Sequence, residues 1–236
     1  MTMKTSAGAR LRALFAVTVL AAAASGAAHA QDTYKIAYID PLSGPFANVG
    51  ELMLLHTQYA VDDINAKGGL PGGQKMQLLQ FDSKLSAQES QSALQAAIDQ
   101  GARAIVTGGS GSSVVAAILQ SVARWNQRNP GKELLVLNHS SIDPDMTGKS
   151  CSFWHFQTEA NTAMKMKAIA NYIKKTPDIK KVYLLNQDYA HGRQWASYGR
   201  QLVGLARPDI QFVGEALHPI GRVKDFAPYV ANIKAS

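Results

Sequence analysis

The sequence has few of the residues that build disulfides and metal sites. Cysteine occurs once, as Cys151, so no disulfide can form within these 236 residues. In an oxidising compartment a lone thiol is either buried and inert or free to pair with a partner, and no base beside Cys151 would activate it for catalysis. The histidines stand far apart, without an H-x-x-x-H or H-x-H pair. The sequence therefore predicts no metal site and no cofactor.

Long apolar runs and dense charge are also scarce after the first thirty residues. No later run approaches the ~18 apolar residues that a membrane-spanning helix requires, so the mature chain is expected to be soluble. Charged residues make up 17% of the chain, and the formal net charge is +7. The basic residues form only short clusters such as Lys174-Lys175 and Lys180-Lys181, without interleaved aromatic residues. Such clusters are typical of solvated helix faces, so nucleic acid is not an expected partner.

The N-terminus has the three parts of a secretory signal peptide. A segment with three basic residues comes first, an apolar core follows at residues 14–21, and Ala28-His29-Ala30 matches a cleavage site. Residues 1–30 are therefore expected to be removed after Ala30, which leaves Gln31 as the mature N-terminus and places the protein in the periplasm. Loss of the three basic residues lowers the net charge from +7 to +4.

Short apolar runs alternate with longer helical patterns through the rest of the chain. The predicted strands are Lys35–Ile39, Met76–Phe81, Ala104–Thr107, Leu134–Leu137, Phe153–Phe156, Val182–Asn186 and Gln211–Ala216. The predicted helices are roughly Glu51–Lys67, Ala87–Gln100, Ser113–Arg128, Thr162–Lys175, Arg193–Leu205 and Asp225–Lys234. This alternation predicts parallel strands joined by helical crossovers, which is a doubly wound α/β fold. Ligands of such folds bind outside the carboxyl ends of the strands.

A break in this alternation near Ser150–Glu159 predicts two lobes. Residues 31–155 would form an N-terminal ligand-binding lobe, and residues 156–236 would form a second lobe with only two or three strands, few for a stable sheet. The aromatic residues Phe153, Trp154 and Phe156 fall within a predicted strand, a pattern typical of a core.

Three loops follow the carboxyl ends of predicted first-lobe strands. They are Ser43–Phe46, with the sequence S-G-P-F, then Gly108–Ser113, and then Asn138–Pro144. Glycines in the second loop allow close approach of the backbone to a ligand, and the free amides of the following helix start favour an anion. One of Ser112 and Ser113 is expected to cap that helix, which leaves the other to face the cleft.

The second loop comes close to two enzyme motifs and matches neither. The nucleophile elbow G-x-S-x-G would need glycine where Ser112 stands. The dinucleotide-binding motif G-x-G-x-x-G fails at Val114. A serine hydrolase with Ser110 as its nucleophile stays as an alternative function from another class. His139 and His191 lie in predicted cleft loops, where local hydrogen bonding is commoner than contact with a ligand.

The strand, S-G-P loop and long helix are followed by the segment D-I-N-A-K-G-G at Asp63–Gly69. This order resembles the periplasmic substrate-binding proteins of branched-chain amino-acid-type ABC transporters, and the resemblance covers the whole mature chain. It implies a type I periplasmic-binding-protein fold, in which two Rossmann-like lobes enclose a ligand cleft. Chains of that family are well over a hundred residues longer, so the second lobe is expected to be truncated here.

The resemblance also implies a set of ligand-binding residues. First-lobe loops of the family hold the α-group end of an amino-acid ligand, and a second-lobe tyrosine closes over it. Carried over by position, these residues are Ser43, Phe46, Ser110, Ser112, Ser140, Ser141 and Tyr189. Two positions depart from the family pattern, because Ile142 stands where a hydroxyl usually helps to bind the ligand ammonium and Val49 stands where an aromatic residue is common. These departures weaken leucine as the ligand and favour another small carboxylate, an aromatic acid or an amide.

The residues and the resemblance together predict a solute-binding protein without enzymatic activity. It would capture an amino acid or a related carboxylate or amide between two lobes and deliver it to a membrane ABC permease, and it is expected to be a monomer. A ligand-sensing module is a further alternative, although a cleaved leader without an anchor argues against it. The sequence leaves open which ligand binds and whether Cys151 pairs with a cysteine beyond Ser236.

Overall fold

The computed structural model describes residues 33–236, and the predicted signal peptide lies outside them. The strands are β1 (Tyr34–Asp40), β2 (Met76–Asp82), β3 (Ala104–Thr107), β4 (Leu135–Asn138), β5 (His155–Gln157), β6 (Lys181–Gln187) and β7 (Gln211–His218). The helices are α1 (Ala47–Ala66), α2 (Ala87–Asp99), α3 (Ser112–Arg128), α4 (Thr162–Lys174), α5 (Ala190–Ala206) and α6 (Ala227–Ala235). The predicted α/β alternation is confirmed, with element ends shifted by a few residues.

Two parallel sheets organise these elements. The first has the strand order β2-β1-β3-β4-β5, and the second pairs β6 with β7. In the first sheet Asp40 lies opposite Asp82, and Thr107 lies opposite Asn138. The carboxyl ends of β1, β2, β3 and β4 therefore meet at one edge, which brings the three predicted loops together as the sequence requires.

Apolar side chains on both faces of the first sheet bury its strands. Helices α2 and α3 cover one face, where Ile39, Ile105, Val115 and Ile118 are fully buried. The other face packs Tyr38 and its neighbours against α1. A separate cluster between α4, α5 and the second sheet includes Met166, Ala170, Ile173, Val203 and Ile210. Among the described helices, none is long and apolar enough to cross a membrane.

The start of α3 differs from the sequence prediction. Gly111, not a serine, occupies the N-cap with φ +87°, and its carbonyl accepts hydrogen bonds from the amides of Val114 and Val115. The expectation that Ser112 or Ser113 caps this helix is therefore wrong. The reason is conformational, because a left-handed φ favours glycine and moves both serines into the first helical turn.

The segment around β5 also differs. Phe153 is 81% exposed and Phe156 is 49% exposed, so the prediction that they belong to the core is wrong. The cause is the position of β5, a three-residue strand at the edge of the first sheet, whose one partner among the described strands is β4. The predicted lobe boundary between residues 155 and 156 falls inside this strand, whose residues all belong to the first sheet.

Candidate ligand-binding site

A buried carboxylate organises the loop that follows β3. Asp40 ends β1 and is 0% exposed. Its Oδ1 accepts hydrogen bonds from the amides of Gly108 and Ser110, both at 3.2 Å. Gly109 passes so close that a Cβ there would stand 3.3 Å from Asp40 Oδ2. The loop thus wraps around a carboxylate of the protein itself, and two of its amides are no longer available to an external anion.

His139 holds the other oxygen of this carboxylate. Its Nε2 lies 2.6 Å from Asp40 Oδ2, and its ring is parallel to the ring of Tyr38 within 4°. Burial and the charge of Asp40 raise the pKa of Tyr38 well above its ordinary value, and the hydroxyl donates to the Gly50 carbonyl at 2.7 Å. Within residues 33–236, His139 Nδ1 has no hydrogen-bond partner. His139 thus makes a hydrogen bond within the protein, to Asp40, which is the commoner role of a lone loop histidine.

Ser110 turns its hydroxyl into the same buried network. Its Oγ lies 2.6 Å from Ser83 Oγ and 3.4 Å from Asp40 Oδ1. No histidine of the described chain bonds to this hydroxyl, whereas a serine nucleophile requires an adjacent base. Ser110 supports the loop from inside, and its direct contact with a ligand stays a prediction.

Ser112 and Ser141 bring two loops into contact. Both side chains are buried, and the Ser141 hydroxyl donates to Ser112 Oγ at 3.3 Å. The Asn138 side chain fixes the second of these loops, because its amide group donates to the Ser141 carbonyl at 2.7 Å and its Oδ1 accepts from the Ser141 amide at 2.8 Å. Two residues predicted from the resemblance therefore meet between β3 and β4.

The first turn of α3 offers hydrogen-bond donors beside this pair. Within the described residues, the amides of Ser112 and Ser113 donate no hydrogen bond. A helix start leaves its first amides without intrahelical acceptors, and the helix dipole adds a partial positive charge there. These amides and the Ser112 hydroxyl form a set that suits a small carboxylate.

The S-G-P loop holds its two predicted residues in different ways. Ser43 is exposed, and its hydroxyl donates to the carboxylate of Asp82. Although desolvation alone would raise the pKa of Asp82, the bond from Ser43 and those from the amides of Lys84 and Leu42 outweigh it and hold that pKa below its ordinary value. Phe46 is half-buried and ends a short 3-10 turn before α1.

The loop after β4 presents Ser140 and buries Ile142. Ser140 is exposed and presses on Gly108, where a Cβ would stand 2.7 Å from the Ser140 amide nitrogen. Ile142 is 6% exposed, and its carbonyl accepts from the amide and the hydroxyl of Thr162 at 2.9 and 3.0 Å. Only glycine fits at position 108, because a side chain there would collide with the backbone of Ser140.

Tyr189 from the second lobe lies over the start of α3. Its ring carbon Cε2 is 3.6 Å from the position that a Cβ on Gly111 would take. Burial raises the pKa of the Tyr189 hydroxyl. The ring also neighbours His191, whose Nε2 accepts from Trp195 Nε1 at 2.9 Å. The ring of Tyr189 thus lies beside Gly111, the N-cap of α3.

The ionisable residues of the described chain form no metal centre. Within residues 33–236, no group of three or more histidine, cysteine, aspartate or glutamate side chains is placed to hold a metal ion. Cys151 is exposed to solvent, so the buried alternative for this thiol does not apply.

Asp40 is the main site residue that the sequence prediction missed. The sequence does contain a feature that could have indicated Asp40, because a carboxylate directly follows the apolar run of β1 and precedes a proline. What the carboxylate binds is not visible in the sequence, since Gly108 follows it by 68 residues and His139 by 99.

In open α/β folds ligands bind outside the carboxyl ends of the strands, and this is where the loops of this chain leave helix amides free. The family model described as "Periplasmic binding protein" matches residues 33–236. The chain therefore belongs to the periplasmic binding protein family, as the resemblance implied.

Curated relatives agree with this assignment. The chain is 34% identical over 223 residues to the Leu/Ile/Val-binding protein homolog 4 of Brucella abortus, with 93% of this chain and 52% of the relative covered. It is 28% identical over 225 residues to the Leu/Ile/Val-binding protein BraC3 of Rhizobium johnstonii, with 95% and 57% covered. The chain spans about half the length of the curated relatives it matches.

Solved structures show the same fold. The closed leucine-, isoleucine-, valine-, threonine- and alanine-binding protein of Brucella ovis matches with a TM-score of 0.74 at 33% identity, covering 86% of this chain and 52% of that one. A Rhodopseudomonas palustris solute-binding protein in complex with 3,4-dihydroxybenzoic acid matches with a TM-score of 0.70 at 19% identity, covering 86% and 52%. The second likeness supports the fold alone.

Proposed function

We propose that the protein is the solute receptor of an ABC transporter, which captures a small ligand with a carboxylate group between its lobes. The observation that carries this proposal is the set of unpaired donors at the start of α3. The amides of Ser112 and Ser113 donate no hydrogen bond within the described residues, the Ser112–Ser141 hydroxyl pair stands in the same turn, and the ring of Tyr189 lies beside the preceding Gly111. Donors held in place before binding lose little entropy when a carboxylate arrives.

The ligand class is an amino acid or a related carboxylate or amide. The ring of Tyr189 and the bare Cα of Gly111 provide an apolar wall beside the donors, which suits a short aliphatic or aromatic group. Relatives named as Leu/Ile/Val-binding proteins support the aliphatic case, and the aromatic case rests on the departures at Val49 and Ile142 from the family pattern. Ser43, Phe46, Ser110 and Ser140 complete the proposed first-lobe wall.

Release to a permease and a periplasmic location complete the proposal. The N-terminal basic segment, apolar core and A-x-A motif support export of the chain and cleavage after Ala30. In this role the protein acts as a monomer and leaves its ligand chemically unchanged. The arrangement at Ser110, which bonds to Ser83 and Asp40, gives the hydrolase alternative no support.

A thermal-shift panel tests this function. The mature protein is heated with L-leucine, L-isoleucine, 4-hydroxybenzoate or 3,4-dihydroxybenzoate, and the compound is then recovered for mass spectrometry. A ligand at a hundred times its Kd stabilises the folded state by about 2.7 kcal/mol, so a bound probe raises the melting temperature by several degrees. At least one probe should do so and be recovered intact. Failure of every probe at millimolar concentration, or ester hydrolysis that Ser110→Ala abolishes, would overturn the proposal.

A further inference from the structure

A second contact joins the lobes, away from Tyr189. The loop after β7 carries Gly221, which has φ +65°. A Cβ built on Gly221 would stand 2.9 Å from Cβ of Pro45 and 3.5 Å from Cε2 of Phe46, and both residues belong to the S-G-P loop of the first lobe. The backbone of Gly221 is therefore in close contact with the side chains of Pro45 and Phe46.

Two independent constraints select glycine at this position. A positive φ is disfavoured for a residue with a side chain. In addition, carbon atoms rest about 3.5–4.0 Å apart at their optimum, so a methyl group at 2.9 Å from Pro45 would force the loops apart by roughly 0.6–1 Å. The first constraint concerns the loop alone, whereas the second concerns the separation of the lobes.

The loop after β7 contacts the segment that carries Tyr189, at the end of β6. The amide of Asp188, next to Tyr189, donates to the carbonyl of His218 at 2.7 Å. The ring of His218 packs edge-on against Phe226 and Tyr229, with centroids 5.1 and 6.1 Å away. Because these contacts tie the two loops together, any change in the position of Gly221 against the first lobe also moves Tyr189.

We infer that Gly221 is an affinity-determining residue: the absence of a side chain there lets the second lobe close until Tyr189 covers the start of α3. This inference rests on the proposed capture of a ligand between the lobes. It assigns the loop after β7 a role in closure, with the Pro45–Phe46 edge of the first lobe as its contact surface.

The first test measures lobe separation without a ligand. In a Cys151→Ser background, spin labels are attached to Glu51→Cys on α1 and Asn232→Cys on α6, both exposed positions, and the distance between them is measured by pulsed electron resonance. The background with Gly221 intact should contain a short-distance population that Gly221→Ala reduces several-fold. Gly131→Ala is the matched control, because Gly131 has φ +80° but nothing within 4 Å of its Cβ position. Equal distance distributions for the two variants, or no short distance in the background protein, would overturn the inference.

The second test measures affinity in the same variants. Titration with L-isoleucine and with 4-hydroxybenzoate should show at least a tenfold higher Kd for Gly221→Ala, roughly 1.4 kcal/mol, and a Kd within about twofold of wild type for Gly131→Ala. Adding Pro45→Gly to Gly221→Ala removes the obstructing carbon and should restore part of the short-distance population. If none of the four probes of the thermal-shift panel binds wild type, the proposed function fails, while the distance measurement still decides the role of Gly221.

Discussion

At Asp40, five hydrogen bonds converge on one carboxylate that has no exposed surface. The donors are the amides of Gly108 and Ser110, the hydroxyls of Thr107 and Ser110, and the ring of His139. A buried charge is tolerated only when such bonds replace its water. The loop between β3 and α3 therefore depends on a residue whose own side chain is fully buried.

Replacing Asp40 should destabilise the fold through this loop. Asp40→Asn keeps one acceptor oxygen but loses the charge and the acceptor that faces His139, so we expect a loss of about 1–3 kcal/mol in the free energy of unfolding. Asp40→Ala leaves all five donors without this acceptor and should cost more. Urea denaturation measures both. Asp82→Asn is the matched control at the same register of β2, and a loss there as large as for Asp40→Asn would contradict the account.

Ser112 should matter for binding and little for folding. Among the residues that the structure describes, its hydroxyl accepts a hydrogen bond from Ser141 alone, and Gly111 caps the helix in its place. Loss of a hydrogen bond to a charged group costs about 1.5–3 kcal/mol, so Ser112→Ala should raise the Kd for a carboxylate about ten- to hundredfold. Calorimetric titration gives the affinity, and a denaturant melt gives the stability.

Ser113→Ala supplies the control for that measurement. Ser113 is exposed in the same helical turn and keeps its amide after the substitution. The Kd of Ser113→Ala for the carboxylate should stay within about threefold of wild type, because only the backbone amide of residue 113 is proposed to bind the ligand. If Ser112→Ala lowered stability by ~1 kcal/mol and left affinity unchanged, Ser112 would have a structural role only.

At the scale of elements, we expect the start of α5 to be sensitive to acid. Burial, with the nearby charge of Lys165, lowers the pKa of His191 below its ordinary value. Its Nε2 must be unprotonated to accept from Trp195 at 2.9 Å. Because the folded-state pKa is the lower one, the stability contributed is complete above the unfolded pKa of ~6.5 and is lost as pH falls through the folded pKa.

The free energy of unfolding should therefore decrease on acidification from about pH 7.5 to about pH 5, in part through His191. His155, whose pKa burial also lowers, adds to the same trend. In His191→Gln the decrease should be smaller, because Gln cannot take up a proton in this range, while an amide oxygen can still accept from Trp195. Trp195 fluorescence follows the local change. An identical pH slope in the two proteins would contradict the role of His191.

Local sequence patterns predicted a strand well where most of its residues are buried. The central residues of β1 and β3, Ile36–Ile39 and Ala104–Val106, are apolar and buried because both strands lie inside the first sheet, and the predicted positions of the two strands are confirmed. The prediction of a buried aromatic strand failed at Phe153 and Phe156, since an apolar run does not reveal that its strand lies at an edge. The N-cap prediction for α3 failed for another reason, because Gly111, with its positive φ, occupies the N-cap where a serine hydroxyl was expected.

At the scale of the whole molecule, the contacts that join distant segments were out of reach of the sequence. Asp40 and His139 are brought together by strand order, and Gly221 meets Pro45 only because the lobes approach. The resemblance named Ser112, Ser141 and Tyr189 as ligand-binding residues, and in the structure Ser112 contacts Ser141 while Tyr189 lies beside Gly111. Its prediction of how these residues bind a ligand stays a prediction.

The most direct test of the central claim is a crystal structure of the protein grown with whichever of the four probes stabilises it in the thermal-shift panel. We expect the ligand carboxylate to lie at the start of α3, within hydrogen-bond distance of the Ser112 amide and hydroxyl, with the ring of Tyr189 over the apolar part of the ligand. Asp40 should keep its bonds to the loop amides beneath the ligand. A ligand found away from the first turn of α3, or one whose carboxylate points to solvent while its apolar part fills the cleft, would contradict the account.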